Sequence, residues 1–362
     1  MASDPPLRPT LRTIARAAGV SVMTVSRALR NVGNISPRQR ARVQRIATQL
    51  GYRPDPTVAK LMHHLRIRRK PAYQGLLCAL TTHRPNTQLN FFVNAVFTGA
   101  RQRADARGYG FSLMQLEPSP ESRRRLQRIL TTRGVEGLVL LPMVEPLDLS
   151  DWLDWGQFAL VSTSGSVLGP EVARVLPTQF ANTQLLCGQL MARGYRRIGL
   201  AIETKQDQRV NHVHTAAVAW HNLHRGGVAV APLIYDGDLP RRAELRAWVR
   251  REKIDVLVAT QNRDRQLAEM LGWKVPGPFG VAATSVVPNS IFGGIDEMPA
   301  EIGAAAVDLL ATMIQRGEKG VPAVATSTLI PGRWVEGRSC PGRPALPGRD
   351  KPKGKAGSPA AR

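Results

Sequence analysis

The sequence predicts an α/β protein in two parts, a small all-helical head and a long body in which strands and helices alternate. Three observations carry this. Between residues 10 and 50 the apolar residues recur at helical spacing. From Gly75 onward, short apolar runs of strand length are separated by amphipathic helical stretches, the pattern of parallel sheets covered on both faces. The charge is also segregated. The 362 residues carry 50 Lys+Arg against 27 Asp+Glu; residues 1–70 hold 15 basic and 2 acidic, residues 338–362 hold 7 and 1, and everything between holds 28 and 24. A nearly neutral body therefore carries a basic head and a basic tail. Dense cationic charge suits a polyphosphate partner, because each Lys or Arg set against a phosphate releases condensed counterions.

Composition narrows the class further. Hydrophobic residues at 43% and charged residues at 21% are ordinary for a globular chain of this length, which fits two or three folding units. Cys78, Cys187 and Cys340 lie far apart with no CxxC pair, so neither a disulfide framework nor a thiolate metal site is expected. The start MASDPPLRPT lacks the apolar core of a signal peptide, and no run of eighteen apolar residues occurs. A cytoplasmic, nucleoid-associated protein without membrane contact is the expectation. No nucleophile elbow, P-loop, HExxH or GxGxxG after a strand is present, so no enzyme activity and no cofactor are expected.

In the head, Leu11, Ile14, Ala15 and Ala18 mark a first helix over 11–18. Gly19 suits the left-handed position that ends it, and Ser21 can cap the next helix, Val22 to Leu29, whose inner face is Val25, Ala28 and Leu29. After a loop, Ser36-Pro37-Arg38-Gln39 combines an N-cap, a first-turn proline and a capping-box glutamine; Val43, Ile46, Ala47 and Leu50 form the core stripe of this third helix. Two short helices about a glycine turn, the second presenting polar groups outward, read as a helix-turn-helix.

The stretch TLRTIARAAGVSVMTVSRALRNVGNISPRQRARVQRIATQLGYRPD closely resembles the DNA-binding domain of the lactose-repressor (LacI/GalR) family of bacterial transcription regulators, with the signature AAGVS-x-x-TVSRAL present whole. The resemblance implies contacts with DNA by Thr10, Leu11, Ser21, Val22, Met23, Thr24, Ser26, Arg27, Arg30, Ser36 and Tyr52. It puts Val22 and Met23 at base edges, the hydroxyls of Ser21, Thr24, Ser26 and Ser36 at phosphates, Arg27 toward bases at the edge of the half-site, and Arg30 and Tyr52 over the backbone. Being apolar, Val22 and Met23 suit thymine methyl groups rather than guanine. In residues 55–73, Val58, Leu61, Met62 and Leu65 make an apolar stripe. By resemblance this is a hinge helix whose Leu61 wedges into the minor groove; the alternative on its own pattern is a plain dimerisation helix or a spacer. Asp55 and Pro56 depart from the family's usual residues there.

The body contains strand-like runs at 75–81, 110–116, 137–142, 158–163, 197–202, 228–235, 255–260, 279–283 and 324–330. Helices are expected near 92–107, 121–133, 179–193, 213–225, 240–252, 263–271 and 299–316. This alternation allows one doubly wound sheet, a barrel or two lobes. Resemblance in 89–113, 190–201 and 302–314 implies two Rossmann-like lobes of the periplasmic-binding-protein type. The domains expected are a head over 1–54, a hinge over 55–73, and a body over 74–337. Lobe 1 takes about 74–176 and 296–322, lobe 2 about 177–295 and 323–337, and a disordered basic tail follows over 338–362.

A cleft between the lobes is expected to hold a small-molecule effector, a sugar or a nucleobase, against Phe91, Phe92, Thr82 and Arg209; the two aromatics are also core-prone. Pro177-Thr178 and Ala283-Thr284-Ser285 stand where relatives often carry carboxylates, so the effector is atypical or absent. His214, His221 and His224 lie on one helical stretch that has no acid or thiol to complete a metal site; exposed or capping histidines, and no metal, are expected. Taken together, the sequence predicts a homodimeric regulator, acting as a repressor on a palindromic double-stranded operator and modulated by an effector. The alternative is an effector-independent dimeric or architectural DNA binder.

Overall fold

The computed structural model describes residues 10–29, 35–52, 74–83, 90–224, 228–260, 263–287 and 289–342. Arg30, the hinge stretch 55–73 with Leu61, and the tail from 343 lie outside the described residues. In the head, α1 (Leu11–Ala18), α2 (Val22–Leu29) and α3 (Pro37–Gln49) close on a core of Ile14, Ala15, Ala18, Val25, Ala28, Val43 and Ala47. Leu50 departs from the expected stripe. It follows the last helical residue as the C-cap, its amide still bonded to the Ile46 carbonyl, and its side chain is 38% exposed.

The body runs β1 (Gly75–Thr81), α4 (Phe91–Ala106), β2 (Tyr109–Gln115), α5 (Pro120–Thr132), β3 (Val135–Leu140), β4 (Leu147–Asp148), β5 (Ala159–Ser162), β6 (Val167–Gly169) and β7 (Ala173–Pro177). It continues through α6 (Gln179–Ala192), β8 (Ile198–Glu203), α7 (Thr204–Arg209), α8 (Val213–His224), β9 (Leu233–Tyr235), α9 (Arg242–Glu252), β10 (Val256–Ala259), α10 (Asp264–Leu271), β11 (Gly280–Ala283) and β12 (Gly293–Asp296). The chain closes with α11 (Pro299–Arg316), β13 (Ser327–Ile330) and β14 (Arg333–Val335).

Two compact units result. The first takes the chain through Gln179, Lys205–His212 and Glu297–Arg333; the second takes Phe180–Thr204, Val213–Asp296 and the chain from Trp334. The first unit's sheet has the order β13-β7-β5-β3-β1-β2, with parallel pairings throughout. The second unit's sheet has the order β14-β12-β11-β10-β8-β9. In the first, the chain moves from β1 outward to β2 and then back past β1 to β3, so the strand order reverses between β1 and β3. In doubly wound sheets the crevice beyond the strand ends at that reversal is where ligands sit.

Several sequence expectations are corrected. The strand near 324–330 was assigned to lobe 2, but β13 pairs with β7, Ser327 opposite Arg174, and belongs to the first sheet. A short edge strand carries no pattern that says which sheet it joins. Of 228–235, only Leu233–Tyr235 is strand; Pro232, just before it, has no N–H for a ladder. Residues 338–342, expected to belong to a disordered tail, are instead built into the second unit. The Ser339 hydroxyl donates to the Val281 carbonyl and accepts from the Gly293 amide, so it ties β11 to β12, and Cys340 is buried in the second unit's core. All three cysteines are buried free thiols, and burial pushes Cys187 up to about 12, so none is a reactive thiolate.

In the first unit α11 seats on α4 backbone to backbone. A Cβ on Gly303 would lie 2.0 Å from the Val96 carbonyl oxygen, and one on Gly99 would lie 2.0 Å from that of Ala300. Asp308 on α11 pairs at 2.5 Å with Arg107, the C-cap of α4, and locks the same seam. We expect Gly303→Ala to force the helices apart and lower unfolding stability by about 1–3 kcal/mol or more. Gly188→Ala, on α6 where a Cβ meets nothing within 4 Å, should instead raise stability by roughly 0.5–1 kcal/mol through helix propensity. Denaturant midpoints of the two variants check the pair.

Candidate nucleic-acid interface and ligand edge

The caps at Gly19, Ser21 and Ser36 stand where the sequence marks them, and Thr10 adds one the sequence reading did not name. Thr10 and Thr13 form a reciprocal capping box on α1, and Gly19 ends that helix at φ 64°. The Ser21 hydroxyl accepts from the Thr24 amide at 3.1 Å and shares a 2.9 Å hydrogen bond with the Thr24 hydroxyl. Two hydroxyls sharing one bond leave one O–H to donate outward, to an acceptor such as phosphate. Ser36 accepts from the Gln39 amide and caps α3.

Val22 and Met23 project from the first turn of α2, 41% and 62% exposed. Arg27 is exposed one turn further on, Thr24 and Ser26 are half-buried, and Leu11 and Tyr52 pack on the head's core. Among the described residues of the head there is no acidic side chain, while Arg12, Arg16, Arg38, Arg42 and Arg45 are all exposed. These five arginines were missing from the site expected by sequence. The absence of any Asp or Glu between 10 and 52 was the signal for them.

The effector residues fall at the strand reversal of the first unit, but not as free groups. Thr82 follows β1, and its hydroxyl accepts the Val144 amide at 2.9 Å. Arg209 ends α7 and donates to the Val144 carbonyl at 2.7 Å. The two residues thus meet on the two faces of a single peptide-bearing residue just beyond β3. Phe92 is half-buried against the core formed by Val93, Val96 and Ile302, and Phe91 beside it is half-buried too. Nothing in the local sequence signals Val144, since it meets Arg209 across 65 residues.

In the histidine stretch His224 is exposed as expected, but His214 and His221 depart from the expectation of exposed or capping side chains. His214 is buried and shares a 2.8 Å bond with the Thr183 hydroxyl, and buried His221 faces the Gln184 amide. The inner face of α8 is polar because α6 meets it with polar residues. Among the described residues no group of three His, Cys, Asp or Glu is placed to hold a metal ion.

Burial, with the like charge of Arg209 nearby, holds His83 below the usual histidine range. A group that resists protonation when folded contributes stability that is present above its unfolded value and is lost as pH falls below it. Wild-type stability should therefore drop more steeply than that of His83→Gln between about pH 7 and pH 5, the window just below the ordinary value. Melting temperatures of the two proteins across that range measure the difference.

A family profile described as "Bacterial regulatory proteins, lacI family" matches residues 10–55. HTH-type transcriptional regulator KdgR of Bacillus subtilis is 30% identical over 132 residues, covering 36% of this chain and 35% of that protein. The sucrose operon repressor of Escherichia coli is 25% identical over 52% of this chain and 54% of its own length. GalS of Salmonella typhimurium is 50% identical over 52 residues, 14% of this chain and 15% of that one. The chain spans about a third to a half of the length of the first two, and these relatives are named as regulators of transcription. Among solved structures, a transcriptional regulator CelR–cellobiose complex is matched over 92% of this chain and all of that one, at 20% identity and TM-score 0.54. The Lac repressor bound to ONPG is matched over 91% and 99%, at 19% and 0.55. At such identities the likeness is one of fold. Among the described residues no helix is long and apolar enough to cross a membrane.

Proposed function

We propose, from the premise that the head belongs to the LacI family of bacterial regulatory proteins, that this protein is a sequence-specific DNA-binding transcriptional regulator. It acts as a repressor and holds a palindromic operator as a homodimer. The observation that carries the reading is the outer surface of the head: an acid-free shell of arginines around a capped helix start that projects Val22 and Met23. Arginines supply sequence-independent attraction to phosphates, and two exposed apolar side chains at a helix start supply contacts for thymine methyl groups in the major groove. Leu61 of the hinge stretch is assigned the minor-groove wedge, and Arg30 a place over the backbone.

A small molecule modulates operator affinity through Thr82 and Arg209 at the strand reversal of the first unit. The matched neighbours are named for cellobiose and ONPG complexes, which supports a sugar or glycoside as the effector class. A second reading, regulation without any effector, is favoured by one observation: both polar groups are already bonded to Val144.

Selection of random duplexes by the purified protein should return a palindrome. Exchanging Val22 and Met23 for polar residues should change its central preference in each half, and an unchanged consensus would place recognition elsewhere. Arg27→Ala should weaken binding and lower the salt slope, log K against log salt, by about 0.9 if its partner is a phosphate. A base contact would instead relax the preference at one position while the slope holds. Full-affinity binding of a half-site by a monomer would rule out the dimeric repressor.

A further inference from the structure

The strand reversal of the first unit, where a doubly wound sheet takes its ligand, is occupied by the chain's own residues 205–212. Four features hold this segment there. Arg209 donates to the Val144 carbonyl at 2.7 Å. Lys205 pairs with Glu145 at 2.5 Å. The backbone of Arg209 runs so close to the loop after β5 that a Cβ on Gly165 would lie 3.0 Å from its carbonyl oxygen. The segment is also tied into a closed turn: His212 donates its amide to the Asp207 carbonyl at 2.7 Å, and its ring meets the buried Asp207 carboxylate at 2.8 Å. Asn211 and His212 sit consecutively at φ 52° and 58°. Residues with a Cβ adopt this region at a cost, and such geometry persists where surrounding contacts impose it, as at clamps and switch segments.

We propose that residues 205–212 are a latch docked on the effector edge, with the Val144 carbonyl standing in for a ligand oxygen on Arg209, and that release of the latch lowers operator affinity. The inference rests on the repressor reading above. An effector acts by offering Arg209 a better acceptor than a neutral carbonyl, such as a vicinal diol or a carboxylate. The acceptors that face the segment are open to competition. Val144 and Glu145 are exposed, and the Lys205–Glu145 pair lies in solvent, where an ion pair adds little. The charge-assisted bond of Arg209 to Val144 is the contact an effector would compete for. A ligand that bound docked and undocked forms equally would shift nothing, so competition for Arg209 is what gives an effector unequal affinity for the two.

The experiment pairs amide hydrogen exchange with operator binding on the full chain, for wild type, Arg209→Ala and Gly165→Ala. The first variant removes the hydrogen bond. The second presses on the Arg209 carbonyl and leaves every polar group in place. In the wild type, amides of 205–212 and of the Val144 loop should be protected. In each variant both should exchange about tenfold faster, as loss of a charge-assisted bond implies, with operator affinity falling by a similar factor while the exchange of β8 and β10 stays unchanged. Unprotected wild-type amides would overturn docking. Faster exchange in both variants with unaltered operator affinity would overturn the latch as a regulator. Failure of the wild type to bind any selected DNA would overturn the repressor reading and the coupling with it, while the exchange pattern would still decide docking.

Discussion

Parallel pairing is the constraint from which the rest of the body follows. Strands that run the same way must each be reached by a crossover, so all their carboxyl ends emerge on one edge of the sheet. In the first unit that edge gathers the loops after β1, β3 and β5, and their carbonyls need donors. Hydroxyls supply them: Thr81 donates to the Pro142 carbonyl, Thr163 to that of Leu140, and Ser166 receives the Met143 amide and bonds Ser164. Hydroxyl-rich loops therefore stand where a ligand would be expected, yet most of their capacity is spent on the chain itself. Arg209 and Thr82 extend the same economy to Val144.

The head follows a different physics, and the segregation of charge keeps the two apart. Its core is small, seven fully buried residues, and its three helices depend on caps as much as on packing. Ser21 illustrates the overlap of fold and function. Its hydroxyl begins α2 by accepting the Thr24 amide, and its pairing with the Thr24 hydroxyl leaves one O–H of the two to donate outward. In the proposed regulator, a residue that both starts the helix and meets a phosphate would hold the recognition turn in one place, which is what a short apolar contact needs in order to discriminate between bases.

What was legible in the sequence was whatever is local. Caps and stop signals placed α1, α2, α3 and α11 within a residue or so, because Gly19, Ser21, Ser36-Pro37 and Pro299…Gly317 act over one turn. The strands of both sheets were visible as apolar runs, but their order was not. That order depends on pairings between distant segments, which is why the sequence pattern does not place β13 in the first sheet or show that Ser339 and Cys340 join the second. The same limit applies to the site. The signature around Val22 and Met23 could be read directly, whereas the meeting of Thr82, Val144 and Arg209 requires the fold. The histidines of α8 misled for the opposite reason: a polar stretch with no partner in its own helix looked like a surface, and the partners, Thr183 and Gln184, were on α6.

The relation between head and body is then one of energies rather than shape. In the proposed repressor, phosphate attraction is spread over many arginines and is indifferent to sequence, so it would bring the protein to DNA without choosing a site. Choice would fall to a few apolar contacts, each of modest worth, in two half-sites read together. A regulator built this way needs only a small change to lose its site. If the geometry between two heads loosens, the specific contacts are lost while the arginines still hold DNA, and the protein redistributes along the chromosome instead of dissociating. A single charge-assisted bond of the kind Arg209 makes to Val144 is of the same order as one such contact, so in the proposed repressor a change at that edge is large enough to matter to a head that reads through Val22 and Met23.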